Sequence, residues 1–417
     1  MKIFISLILL VVVYNTNAQT KRALFLGNSY TNVNNLPQLT SNAALSAGDT
    51  LIVDKNTPGG YTLEGHSTNT TSLNKIMQGD WDFVVLQEQS QRPSFPISQV
   101  QQDVFPYANQ LDSIINAYNS CAETVFYMTW GRKNGDANNC QFWPPVCTYE
   151  GMDSLLNLRY MMMADMNDAI ASPVGAVWNH IRQTSPLIEL YAPDESHPSV
   201  AGSYAAACSF YTVIFRKDPT FITFNSSLSQ PDASVIRTAV KEVVFDSLEN
   251  WFVGSYDLSA SFTYLNTGGG LTYQFTNTSQ NSSTQLWDFG FSTDTSSSPL
   301  INFPTPGTFN VQLTSFTDCD TVMSSQQIMV TTTGIESPEG SNLLLIYPNP
   351  TNGHVNFKSA SAQNIVLGIY NYQGKLIKTL ELSSRSTISV ADLNPGVYIA
   401  TSLNSYKINK KRFVIYE

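Results

Sequence analysis

The sequence predicts an α/β domain, with a parallel sheet covered by helices on both faces, followed by two all-β sandwiches. Three observations carry this. From Arg22 to about Trp251, short apolar runs alternate with longer segments of helical period. From about Ser255 to Thr333 the helical segments stop, and short Thr-, Ser-, Phe- and Tyr-rich runs are punctuated by Gly268-Gly269-Gly270, Ser296-Ser297-Ser298 and Pro304-Thr305-Pro306-Gly307. A linker from Gly334 to Ser341 then leads into a second β-rich stretch that runs to the end. At 417 residues the chain is too long for one ordinary domain. The expected pieces are 1–18, 19–254, 255–333 and 334–417.

In the first region the apolar runs read as buried strands at Ala23–Leu26, Thr50–Val53, Phe83–Leu86, Thr124–Met128 and Val174–Val177. Helical period falls near 36–47, 70–78, 98–118 and 150–170, and two further helices near 199–216 and 232–250 close the domain. That alternation implies a parallel sheet, because parallel strands need a crossover long enough to hold a helix.

Composition sets limits on partners and compartment. Lys and Arg number 22 against 32 Asp and Glu, a formal charge of −10, which argues against nucleic acid as a partner. Met1-Lys2, an apolar core from Ile3 to Val13 and Thr16-Asn17-Ala18 read as a secretory signal cut after Ala18. The apolar run is shorter than the roughly 20 residues that span a bilayer, and no later run is long enough, so no transmembrane segment is expected. Export permits disulfides. Of five cysteines, Cys140 and Cys147 lie close together in a loop rich in Asn, Pro and Gly, and are expected to be bridged. Cys208, after Ala205-Ala206-Ala207, reads as a small buried hydrophobe, while Cys121 and Cys319 have no mate legible in the sequence.

The candidate chemistry starts at Leu24-Phe25-Leu26-Gly27-Asn28-Ser29-Tyr30-Thr31, where an apolar strand stops at a glycine and a serine follows before a helical segment. Strand ends of this kind deliver residues into the crevice where ligands sit. A serine hydroxyl needs a base to take its proton. Four histidines are available. His66 lies in a Gly- and Thr-rich stretch read as a loop, His180 follows Trp178-Asn179 on a helix face, and His354 falls in the last β segment. His197 stands in Asp194-Glu195-Ser196-His197-Pro198, between the last apolar run and a helix. An Asp-x-x-His loop can set a carboxylate on one ring nitrogen while the other faces the serine. No metal-ligand spacing occurs, and Gly268-Gly269-Gly270 lacks the lysine and following helix of a phosphate loop, so no metal and no cofactor is expected.

The order of these blocks resembles the SGNH (GDSL-like) hydrolase family over Arg22 to about Trp251. The resemblance implies a flavodoxin-like sheet, with Ser29 as nucleophile, His197 as base and Asp194 as its orienting acid. The aspartate that usually precedes the family's serine is Asn28 here. The second block, Pro58-Gly59-Gly60-Tyr61-Thr62, implies a backbone N–H at Gly60 aimed at the oxyanion, with Gly59 as the rival. In the third, Val85-Leu86-Gln87-Glu88-Gln89-Ser90, Gln89 takes the place of the family's asparagine, so that the Ser29 N–H, the Gly60 N–H and the Gln89 amide make the oxyanion hole. Gln87, Glu88, Arg92, Trp130 and Arg132 are candidates to line the substrate cleft, an aromatic and a guanidinium suiting a sugar or a carboxylate.

Two further resemblances cover the rest. Trp287-Asp288-Phe289-Gly290, followed by Thr305-Pro306-Gly307-Thr308-Phe309-Asn310-Val311-Gln312-Leu313, is similar to a PKD-type domain, an immunoglobulin-like module in which such residues mainly pack. Tyr347-Pro348-Asn349-Pro350-Thr351-Asn352-Gly353, Ile369-Tyr370-Asn371-Tyr372-Gln373-Gly374-Lys375, Leu393-Asn394-Pro395-Gly396-Val397-Tyr398 and the basic tail from Lys407 to Phe413 resemble the C-terminal sorting domain of the type IX secretion system of the Bacteroidetes. That resemblance implies export through the periplasm to the outside or the cell surface, with the secretion machinery as partner. The SGNH resemblance implies hydrolysis of an ester through an acyl-enzyme, and the exported setting suggests, by analogy, an acetyl group on a carbohydrate. The rival reading, motivated by Asn28 and Gln89, is a surface glycan-binding or adhesion protein that has lost activity on the same scaffold.

Overall fold

The computed structural model of the chain describes residues 18–267, 270–331, 344–349, 351, 353–359, 365–371, 374–382, 385–402 and 410–415. Of the stretch expected to be a secretory signal, residues 1–17 lie outside the described residues, as does the 334–341 linker. Contacts divide the chain into two compact units, Met1–Leu156 with Ser172–Ser247, and Asn157–Ala171 with Leu248–Glu417.

The first elements, in order, are β1 (Thr20–Leu26), α1 (Ser29–Asn32), α2 (Leu36–Ser46), β2 (Thr50–Asn56), α3 (Leu63–Thr68), α4 (Thr70–Ile76) and β3 (Phe83–Leu86). They continue with α5 (Ile97–Asp103), α6 (Phe105–Tyr118), β4 (Glu123–Tyr127), α7 (Tyr149–Met166), β5 (Ile170–Ser172), α8 (Val174–Thr184), α9 (Val200–Phe215) and α10 (Gln230–Val243). The five strands form one sheet in the order β2-β1-β3-β4-β5, the flavodoxin-like order. From β1 the chain first steps outward to β2, then returns across β1 to β3 and moves on in the opposite direction. With right-handed crossovers this change of direction puts α2 on one face and the helices after β2 and β3 on the other. Accordingly α2, α9, α10 and α8 pack together, and α3, α4 and α5 pack on α6.

Two boundaries differ from the sequence reading for identifiable reasons. The fifth strand is Ile170–Ser172, not Val174–Val177. Pro173 takes the N-cap position, and Val174, Val177, Trp178 and Ile181, spaced at the helical period, are the buried face of α8. The single helix expected over 98–118 is two, α5 and α6, because Pro106 in the first turn of α6 has no N–H to continue a preceding helix.

Register brings the strand ends into line. Leu26 pairs with Asn56 and with Leu86, and Leu86 pairs with Phe126. The segments that follow β1, β2, β3 and β4 therefore leave the sheet at one edge. That edge holds Gly27–Ser29, Thr57–Gly60, Gln87–Gln89 and Met128–Arg132.

Beyond Ser255 the described strands pair antiparallel. β6 (Phe262–Asn266), β7 (Thr272–Asn277), β8 (Thr284–Asp288), β9 (Thr293–Asp294), β10 (Leu300–Asn302), β11 (Gly307–Phe316) and β12 (Thr321–Val330) form two sheets, β10-β7-β6 and β12-β11-β8-β9. Between them lies one core, built around the fully buried Phe275, Trp287, Phe289, Phe303 and Leu313. The last strands are β13 (Leu344–Tyr347), β14 (His354–Ser359), β15 (Ile365–Asn371), β16 (Leu376–Leu382), β17 (Arg385–Ser389), β18 (Gly396–Ser402) and β19 (Lys410–Ile415). They make the sheets β13-β14-β17 and β16-β15-β18-β19 around a second core that includes Val355, Leu367, Ile369, Ala400 and Phe413. Cys140 and Cys147 are bridged, with their Cα atoms 4.6 Å apart, and Cys208 is a buried free thiol.

Candidate active site

β1 is buried through Ala23, Leu24, Phe25 and Leu26, and the chain leaves it at Gly27. No side chain fits there. A Cβ on Gly27 would lie 2.4 Å from Thr31 Oγ1 and 2.7 Å from Gln87 Oε1. Asn28 then caps α1, its Oδ1 accepting the Tyr30 N–H at 3.0 Å, so that Ser29 opens the helix at the rim of the sheet.

Asp194 and His197 reach the same rim from a loop that precedes α9. Glu195 N–H donates to Ala192 O at 2.9 Å, Ala192 N–H donates to His197 O at 2.8 Å, and Glu195 adopts a left-handed φ of 61° to close the turn. The folded-back loop lets Asp194 Oδ1 accept the N–H groups of Ser196 at 3.2 Å and His197 at 2.9 Å. Its Oδ2 sits 2.5 Å from His197 Nδ1, and His197 Nε2 sits 2.8 Å from Ser29 Oγ. Because a carboxylate only accepts, Nδ1 carries the ring proton and Nε2 is left to accept from the serine hydroxyl. Partial burial pushes the Asp194 carboxyl up, but hydrogen bonds from the His197 ring and from the two N–H groups outweigh this and hold it below the ordinary carboxylate range.

An aromatic wall backs the histidine loop. Tyr30 stacks on Trp130 at 4.9 Å, Trp130 stacks on Trp178 at 3.7 Å, and the Tyr30 ring meets the His197 ring edge-on at 5.2 Å. Both polar tips hold the same loop residue. Trp130 Nε1 donates to Ser196 O at 3.1 Å, and the Tyr30 hydroxyl lies 2.6 Å from Ser196 Oγ.

Below the rim lies a buried polar floor. Gln87 Oε1 accepts from Asn28 N–H and from the Thr31 hydroxyl, each at 2.9 Å, and Gln87 Nε2 donates to Glu88 O. Glu88 accepts the Leu63 N–H at 3.1 Å and the Gln89 N–H at 2.5 Å, fastening the start of α3 to the end of β3. Burial raises the Glu88 carboxyl to about 7, against the pull of those N–H donors and of Arg92. Gln87, Glu88 and Trp130 are 0% exposed, so direct contact with substrate, expected of all three, gives way to support from behind. The apolar ends of β3 and β4 draw the residues beside them inward.

His66 is the residue that sequence reasoning missed. It is not in a loop: it lies on α3, fully buried. Its Nε2–H donates to Gly27 O at 2.9 Å and its Nδ1 accepts from the Ser72 hydroxyl at 2.7 Å. Burial drives its pKa down to about 4, keeping the ring neutral. The N-cap Thr62, accepting from Gly65 N–H at 3.0 Å, is the one sequence signal that could have revealed this short helix.

The remaining candidates sit around the opening. Gly60 has φ +67°, as the third residue of a turn closed by Tyr61 N–H to Pro58 O at 3.3 Å, a position that suits glycine. Gln89 is folded into its own loop, its Oε1 accepting from Gln91 N–H at 2.9 Å and its Nε2 donating to Gln91 Oε1 at 3.0 Å. Arg92 pairs with Glu64 at 3.3 Å. Arg132 pairs with the buried Asp136 at 3.4 Å, and its buried Nε has no hydrogen-bond partner. Asp136 also receives Gln91 Nε2 and Asn139 Nδ2, each at 2.6 Å, and so joins the loop after β3 to the disulfide-closed loop after β4.

Residues 345–416 match the secretion system C-terminal sorting domain. No curated protein matches the chain. Solved structures similar to it include a DUF4886 family protein from Bacteroides uniformis, with 16% identity, a TM-score of 0.47 and coverage of 55% of this chain and 95% of that one. A candidate SGNH hydrolase from Slackia heliotrinireducens is 28% identical, with a TM-score of 0.38 and coverage of 47% and 98%. The PKD1 domain of the Vibrio cholerae metalloprotease PrtV is 33% identical, with a TM-score of 0.16 and coverage of 18% and 95%. Among the described residues no helix is long and apolar enough to cross a membrane. The C-terminal sorting domain, matched over residues 345–416, marks this as a secreted or cell-surface protein.

Proposed function

We propose that the protein is a secreted serine esterase of the SGNH type that removes acyl groups, acetyl foremost, from carbohydrate through an acyl-enzyme. The observation that carries the reading is the chain of contacts from Ser29 Oγ to His197 Nε2 at 2.8 Å and from His197 Nδ1 to Asp194 Oδ2 at 2.5 Å. In this mechanism Ser29 attacks the ester carbonyl while His197 takes its proton, and Asp194 supports the imidazolium. The Ser29 and Gly60 N–H groups receive the oxyanion, joined by the Gln89 amide once it turns from Gln91. The tetrahedral intermediate collapses, His197 passes the proton to the departing alcohol, and a water activated by His197 then releases the acid and frees Ser29. The choice of acetyl and carbohydrate draws on the exported setting, by analogy with extracellular hydrolases that meet glycans.

The test is hydrolysis of p-nitrophenyl acetate by the full chain and by Ser29→Ala, followed by acetate release from acetylated polysaccharides. A rate that vanishes with Ser29 supports the reading. A second reading, a glycan-binding protein of little or no activity, draws on the engagement of the Gln89 amide with Gln91. Equal and negligible rates in both proteins would select it.

A further inference from the structure

Asn28 stands beside the candidate nucleophile, is 2% exposed, and every polar atom it has is used. Its N–H donates to Gln87 Oε1 at 2.9 Å, and its backbone oxygen accepts from Thr31 N–H at 3.1 Å and Asn32 N–H at 2.9 Å. Its Oδ1 accepts from Tyr30 N–H at 3.0 Å, and its Nδ2 donates to Tyr61 O at 2.9 Å. An aspartate could make all of these bonds except the last. The last is the one that crosses from the nucleophile turn to the turn holding Gly59 and Gly60. Tyr61 has ties of its own to α3 and its flank, with its ring edge-on to His66 at 4.8 Å and its hydroxyl accepting from Asn69 Nδ2 at 2.9 Å. Those ties fasten the Gly60 turn to α3; the Asn28 bond alone of these fastens it to Ser29.

We infer that Asn28 is a positioning residue: its side-chain amide sets the separation between the Ser29 and Gly60 backbone N–H groups, a task that requires a neutral donor and that an ionised carboxylate would undo. The inference rests on the esterase reading above. With aspartate at 28, an anionic oxygen would face the Tyr61 carbonyl oxygen across a buried gap of hydrogen-bond length and push the glycine turn away. Once protonated, the same carboxyl could donate to Tyr61 O and restore the link. Burial against a carbonyl raises the pKa of such a group while the Tyr30 N–H lowers it, so the restoration is sought as pH falls below neutral.

The experiment compares the full chain with Asn28→Asp, Asn28→Ser and Ser29→Ala on p-nitrophenyl acetate between about pH 8 and about pH 5, with thermal unfolding as the folding control. Serine at 28 still caps α1 but is too short to reach Tyr61. Both Asn28 variants are expected to lose about 10²-fold in kcat at the upper pH, with KM unchanged, the size of effect seen when one oxyanion donor is misplaced. The ratio of Asn28→Asp to wild-type kcat is expected to climb as pH falls, while that of Asn28→Ser stays level. A wild-type kcat in Asn28→Asp at the upper pH, or a loss whose ratio does not change with pH, overturns the inference. If Asn28→Asp does not fold, a wild-type kcat in Asn28→Ser overturns it as well. Activity in Ser29→Ala equal to wild type would instead remove the esterase reading itself, whatever the Asn28 variants do.

Discussion

The rim and the floor of the candidate site each hold a histidine and an acidic residue, and the two are built in opposite ways. At the rim, Asp194 and His197 come from one short loop, and their side chains are 50% and 33% exposed. On the floor, His66 and Glu88 are 0% exposed; in the contacts described above Glu88 binds backbone N–H groups, and His66 binds the Gly27 carbonyl and the Ser72 hydroxyl. Hydrogen-bond donors around Asp194 favour its anion, whereas burial favours the neutral forms of Glu88 and His66. On the proposed esterase reading, the groups that exchange protons stay in touch with water, and the groups that hold the surrounding loops together are kept dry.

The sharpest way to break this contrast is to remove the rim chemistry. Ser29→Ala is expected to lower kcat on acetyl esters by at least about 10³-fold with little change in the unfolding midpoint, measured by steady-state kinetics beside thermal denaturation. Asp194→Asn should cost about 10²–10⁴-fold in kcat, because the ring then loses the partner that fixes its tautomer. An Asp194→Asn protein as active as wild type would remove the carboxylate from the mechanism. Trp130→Ala takes out the middle of the aromatic wall and the bond to Ser196, and should destabilise the fold by about 3–5 kcal/mol in urea unfolding.

The smallest effects concern the floor and appear only as pH slopes. The folded pKa of His66, about 4, lies below its ordinary 6.5, so its contribution to stability is complete above about 6.5 and is lost as pH falls toward about 4. The folded pKa of Glu88, about 7, lies above its ordinary 4.5, so its contribution is complete below about 4.5 and is lost as pH rises toward about 7. The two slopes oppose each other across that interval. Glu88→Gln removes one of them, and the urea midpoint of the variant should rise more steeply with pH than that of the wild type. Parallel midpoint curves would mean that Glu88 does not titrate there.

How much of this was legible beforehand depended on the distance over which each interaction acts. The pairing of Asp194 with His197 is local, so its spacing stands in the sequence. The turn at Gly27 to Ser29 follows a buried strand, and apolar runs report such strands well. His66 was obscure because its partner is the Gly27 carbonyl, distant in the chain, and because α3 is short and begins in a run of Gly and Thr. Gln87 and Glu88 look like cleft residues by composition, and only the packing of α3 against the end of β3 shows them to be covered. The fifth strand was misplaced because it is three residues long and a proline separates it from a more apolar helix. Of the pieces beyond Ser255, alternation and turn residues told the class but not which strands pair.

The stacked indoles offer an optical consequence. Two indoles 3.7 Å apart and nearly parallel couple their electronic transitions, so Trp130 and Trp178 should contribute a strong near-ultraviolet dichroism signal of their own. Trp130 also donates to Ser196 O in the loop that carries His197, so a substitution that repacks the wall beneath that loop should register in the amplitude of this signal, readable in solution without any added label.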